Sequence, residues 1–122
     1  MRVVITGIAP SAAIGTGKKE FFENLFEKNI VVRQIDEEKL GGNRTGSKWY
    51  VPYPETIFKD YREMVDELWG KAPKNALASV ISAKLALEDA GIETVDENTA
   101  IIVGTGLSNM TEFPFLTNLL RV

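Results

Sequence analysis

The sequence contains neither cysteine nor histidine. The first absence removes thiol nucleophiles and disulfides, the second removes imidazole bases, and together they remove the usual zinc ligands. Acid–base chemistry within these residues would have to rest on carboxylates, lysine or tyrosine. The 17 acidic residues fall mostly on helix faces and in polar loops, where solvation explains them. Excess positive charge is missing as well. The formal net charge is −3, with basic residues scattered among acids, so there is no electrostatic footprint for nucleic acid. No uninterrupted apolar run approaches the roughly 18 residues that suggest a membrane span. Arg2, the apolar run behind it and Ala12-Ala13 imitate a secretory leader. Thr6, Gly7 and Pro10 interrupt that run, and a strand followed by a turn accounts for it better. The expectation is a cytoplasmic protein, in which the sequons at Asn43 and Asn109 have no consequence.

What is present is ordinary globular material. A hydrophobic fraction of 44% and a charged fraction of 25% suit a soluble domain, and 122 residues make one domain or part of a larger one. Residues 2–6 are rich in Val and Ile and read as a short strand covered on both faces. A turn-rich loop over 7–17 leads to a helix over 18–28, with Phe21, Phe22, Leu25 and Phe26 along one face. Residues 31–35 form a second apolar strand. The stretch 36–54 is polar, carries Gly41, Gly42, Gly46, Pro52 and Pro54, and reads as a long excursion. The spacing of Ile57, Tyr61, Val65 and Leu68 predicts a helix over 55–69, stopped by Gly70 and Pro73. Asn75 can cap the next helix, over 75–90, which ends at Gly91. That helix is apolar or small almost all round, the pattern of a helix buried on several sides. A third strand spans 99–103, and a last helix is expected at about 111–120.

The glycines invite two phosphate-binding readings, and both fail on spacing. A Walker-type loop ending at Gly17-Lys18 would need a glycine where Ala12 stands and a hydroxyl where Lys19 stands. A dinucleotide fingerprint beginning at Gly104 and Gly106 would need a glycine at Asn109 and an acidic residue about twenty positions further on. Neither condition is met.

Alternating strands and helices argue an α/β architecture with a parallel or mixed sheet. Three short strands, however, cannot cover four or five helices, and the sheet would have open edges. The sequence therefore reads as the first part of a larger fold.

Three stretches carry a resemblance. Residues 2–8, RVVITGI, followed by AIGTGKKEFFENL at 13–25, resemble the start of beta-ketoacyl-acyl carrier protein synthases, with their R-V-V-I-T-G-I-G and P-L-G-x-G-x-x-x-F-W-x-x-L patterns. ALEDAGI at 86–92 is similar to that family's A-L-x-D-A-G helix end. IIVGTGL at 101–107 is similar to its strand and V-G-[ST]-G turn. The three occur in family order across nearly the whole of residues 1–122. The resemblance implies one incomplete domain: the N-terminal part of a thiolase-like, layered αβαβα sandwich. It also implies that Gly7, Gly15, Gly17, Gly104 and Gly106 serve turns. Ala13-Ile14 departs from the usual proline–leucine pair, and the stretch 72–75 departs from an arginine–methionine–aspartate-like one.

The family condenses an acyl thioester with malonyl-acyl carrier protein in fatty acid or polyketide synthesis. A cysteine attacks the thioester, and two histidines stabilise the enolate and oxyanion formed on decarboxylation. None of the three is present here, so no catalytic residue is assigned and no cofactor or metal is expected. The resemblance implies an acyltransferase only when a complementary chain, or further sequence, supplies them. A natural split subunit, a piece of an ordinary enzyme, and a non-catalytic subunit resembling a chain-length factor all fit. Implied contributions are Leu107 beside the acyl pocket, and Lys71 and Lys74 toward the acidic carrier protein, in a hetero-oligomer.

Overall fold

The computed structural model describes residues 2–29, 31–36 and 48–104. The regular elements among them are helices and two small antiparallel ribbons, a mixed α/β chain. The first ribbon is a tight hairpin: β1 (Ser11–Ala12) and β2 (Gly15–Thr16), joined by Ala13 and Ile14. It feeds directly into α1 (Lys18–Phe26). The second ribbon pairs β3 (Arg33–Gln34) with β4 (Trp49–Tyr50), Arg33 opposite Tyr50 and Gln34 opposite Trp49.

The middle of the chain forms the core. The helix expected over 55–69 is split into α2 (Thr56–Asp60) and a 3-10 segment, Arg62–Leu68, with a further non-helical residue at Val65. The break at Tyr61 matters for packing. Ile57, Phe58 and Val65 all become buried, whereas Phe58 lies off the single stripe that a continuous helix would present. Their partner is α3 (Lys74–Ala90), which contributes Leu77 and the fully buried Ile81. Burial of large aliphatic side chains of this kind contributes roughly 1.5–3 kcal/mol each.

Both long helices end in the same way. After α3, Gly91 takes a left-handed conformation (φ 68°, ψ 28°), its N–H donates to the Glu88 carbonyl, and the Ile92 N–H donates to the Leu87 carbonyl. This pair of bonds is the Schellman motif, for which glycine is suited because a Cβ disfavours the left-handed region. After α1 the same pattern recurs with Lys28 in the left-handed position (φ 57°). There the Lys28 N–H donates to Leu25 and the Asn29 N–H to Asn24.

Two expected strands are not formed. Residues 2–6 and 99–103 have no regular structure, and they are exposed: Val3 is 84% accessible, Ile5 85% and Ile102 94%. The observed sheets are accordingly antiparallel ribbons rather than one parallel or mixed sheet. The physical reason is pairing. Val and Ile favour a pleated, half-buried surface, but a strand exists only beside another strand that satisfies its N–H and C=O groups. Among the described residues neither run has such a neighbour. The all-round apolar α3 also falls short of burial on several sides, because only Leu77 and Ile81 in it are buried. It begins at Lys74, with Pro73 before its first turn, so Asn75 lies inside it rather than capping it. The helix expected at about 111–120 lies outside the described residues.

Candidate functional site

The stretches 2–8, 18–25 and 86–92 are far apart in the chain but meet at the C-terminal end of α3. Ala86 and Ala90 lie on its surface one turn apart, and Gly7 crosses directly over them. A Cβ placed on Gly7 would lie 2.1 Å from the Ala86 carbonyl oxygen and 2.8 Å from the Ala90 Cβ. Only a residue without a side chain can approach so closely.

Asp89 completes the junction. Its Oδ2 accepts the Ile8 backbone N–H at 3.0 Å, and its Oδ1 accepts from Lys18 Nζ at 2.9 Å. Lys18 opens α1, so one carboxylate ties the N-terminal segment and α1 to α3. The Lys18 ammonium and the Ile8 amide both favour the charged form, and they hold the Asp89 carboxyl below the usual aspartate value. The hairpin is fastened by similar local bonds. Thr16 donates its N–H to Glu20 Oε2 at 2.7 Å, and Asn24 Nδ2 donates to the Ile14 carbonyl at 2.5 Å. The Ser11 hydroxyl lies 2.6 Å from that of Tyr53.

These placements define the glycines. Gly7 permits a close approach. Gly15 is buried against the first turn of α1, where a Cβ would come within 2.8 Å of Glu20 Cγ. Gly17 precedes α1 with φ 79°, in open space. Gly104 is exposed with nothing close to it. Gly106 and Leu107 lie outside the described residues.

Lys71 and Lys74 sit at the opposite end of α3. Both are exposed, and Lys74 pairs with Glu55 at 2.5 Å. Beside Lys74 runs a groove of about 590 Å³, lined by Phe58, Lys59, Arg62, Trp69 and Leu77 among others. The Arg62 guanidinium lies over the Trp69 ring, 4.0 Å from its centroid, and also bonds Asp66 at 2.8 Å. The groove combines apolar Phe58, Trp69, Ala72 and Leu77 with Lys59, Arg62, Lys74 and Glu55, and two of its three cations are already paired, Lys74 with Glu55 and Arg62 with Asp66. Sequence reading overlooked Trp69 and Arg62 here. The one signal was an aromatic residue immediately before the glycine that ends the helical stretch.

No group of three or more acidic side chains converges to hold a metal ion among the described residues. No helix among them is long and apolar enough to cross a membrane. The surfaces in view are the groove beside Lys74 and the exposed apolar runs 2–6 and 101–103.

The family model that matches this chain is the beta-ketoacyl synthase N-terminal domain, over residues 1–119. Comparison with curated proteins and with solved structures gives no match. The chain belongs to the beta-ketoacyl synthase N-terminal domain family, and is thus part of a ketosynthase-type condensing enzyme.

Proposed function

We propose that this member of the beta-ketoacyl synthase family supplies the N-terminal layer of a thiolase-like condensing enzyme whose nucleophile and enolate-stabilising residues lie outside these 122 residues. The observation that carries the reading is the exposure of residues 2–6 and 101–103. Two Val/Ile-rich runs of strand composition stand uncovered, and a complementary part of the fold would pair and bury them. The condensing chemistry of the family needs a cysteine and two histidines, and the sequence contains neither type. In the assembled enzyme this chain binds and shapes. Leu107 flanks the acyl tail, and the groove at Phe58, Arg62 and Trp69, with Lys71 and Lys74 near it, receives the acidic carrier protein. The product is a carrier-bound 3-ketoacyl chain of fatty acid or polyketide type, made in the cytoplasm.

The test is reconstitution. The chain alone is expected neither to retain an acyl group from a labelled acyl carrier thioester nor to decarboxylate malonyl carrier protein. Added to a complementary chain bearing the cysteine and histidines, it should restore malonyl-dependent elongation. Leu107→Ala in that complex should then change the preferred acyl length, since a methylene or two in an apolar pocket is worth about 1–3 kcal/mol of discrimination. Binding to the partner without elongation would support a non-catalytic subunit resembling a chain-length factor. Activity of the isolated chain would overturn the proposal.

A further inference from the structure

Residues 2–9 lie over the molecule with very few attachments. Among the described residues, their one hydrogen bond is from the Ile8 N–H to Asp89 Oδ2. The adjoining contact, Gly7 on Ala86 and Ala90, adds close packing but no side chain of its own. The same carboxylate receives Lys18 Nζ on both oxygens, at 2.9 and 3.1 Å. Asp89 therefore stands where three separate elements converge, and the apolar run it anchors is the run left open for a neighbour.

We propose that the Asp89 carboxylate is a latch that sets the N-terminal segment in place: closed, it holds residues 7–8 and α1 on the end of α3, and open, it frees residues 2–8 as one piece. The geometry supports this in two ways. Beside the Gly7 contact the latch is one side chain, and among the described residues its loss leaves residues 2–8 no second hydrogen bond. The rest of the core, built from Ile57, Phe58, Val65, Leu77 and Ile81, does not touch it, so opening need not unfold the molecule. Lys18 is the charged group facing Asp89 from α1, Ile8 offers only its amide, and the described ion pairs of α3 and its neighbours otherwise lie elsewhere. Low pH opens the latch by protonating Asp89. Since both contacts favour its charged form, opening occurs below the pH at which an unpaired aspartate titrates.

The latch belongs to this chain itself and is tested without reference to condensation. Amide exchange by mass spectrometry reads peptides covering residues 2–9 in the wild type, Asp89→Asn, Asp89→Ala and Lys18→Met, with peptides from the middle of α3 as internal control. All three variants should exchange several-fold faster at the Ile8 amide, Asp89→Ala most, with α3 unchanged. Asp89→Asn keeps an acceptor for Ile8 and should be the mildest change at Asp89. Lowering the pH should bring the wild type to the rate of Asp89→Asn measured at the same pH. High salt should weaken the Lys18 arm, because the screening length at 1 M is about 3 Å, leaving Lys18→Met with little further effect. Unchanged exchange of the Ile8 amide in Asp89→Ala would overturn the proposal. So would an equal acceleration over α3, which would make Asp89 a support of the whole fold rather than a latch.

Discussion

Replacing Gly7 by alanine adds a single methyl group, and the structure fixes where it must go. The Cβ would lie 2.1 Å from the Ala86 oxygen, where ordinary contact begins at 3.4 Å, so one side must retreat by more than 1 Å. The oxygen belongs to the backbone of α3 and cannot give way without breaking helix hydrogen bonds. The N-terminal segment, held among the described residues by one hydrogen bond at Ile8, can. Gly7 does not occupy the left-handed region, so alanine is acceptable to the backbone and the whole penalty is steric. Overpacking by a methylene typically costs about 1–3 kcal/mol, and here it is capped by whatever docking of residues 2–8 contributes. A domain of this size loses about 3–6 °C of melting temperature per kcal/mol. Thermal melting together with amide exchange over residues 2–9 is the assay. A lowered melting temperature and faster exchange at the Ile8 amide are expected. Adding Ala90→Gly should not rescue the variant, because the nearest clash is with the Ala86 oxygen. Wild-type melting and exchange would refute the close approach of Gly7 to α3.

Ile81 of α3 is fully buried in one cluster with Ile57, Phe58 and Val65, so Ile81→Ala should cost about 2–5 kcal/mol in denaturant unfolding; a cost well below that would mean that the core lies elsewhere. The shared helix stop predicts effects of opposite sign: Gly91→Ala should destabilise by about 1 kcal/mol, whereas Lys28→Gly should stabilise by about 0.5–1 kcal/mol, since both residues adopt positive φ. Equal signs in the two melts would contradict the shared motif. Asp96 accepts from the Asn98 amide and side chain and from the Thr99 hydroxyl, and these bonds lower its pKa. Its contribution to the turn at 96–99 is therefore present at neutral pH and above the ordinary aspartate value, and is lost as the pH falls through its depressed one. Asp96→Asn should flatten that acid-side loss of order, measured by amide exchange of Asn98 relative to the wild type.

Residue pattern alone was enough for the features that depend on neighbours close in the chain. The helix after Gly17, the long helix stopped by Gly91 and the break before Pro73 follow from spacing, capping and backbone sterics, which act within a few residues. Membership of the family was legible too, because TGI, ALEDAG and VGTG keep their order. What those motifs do was not legible. That Gly7 lies on Ala86 and Ala90, and that Asp89 grips Ile8 and Lys18, are contacts across about seventy to eighty positions. Periodicity carries no information at that separation. The strands at 2–6 and 99–103 mark the same limit from the other side. Their Val and Ile content states a preference for a sheet, but a strand is a property of a pair, and tertiary structure alone decides whether the second member is there. The split at Tyr61 has a similar origin: an unbroken apolar stripe was compatible with one helix, and the need to bury Phe58 together with Ile57 and Val65 against α3 selected two.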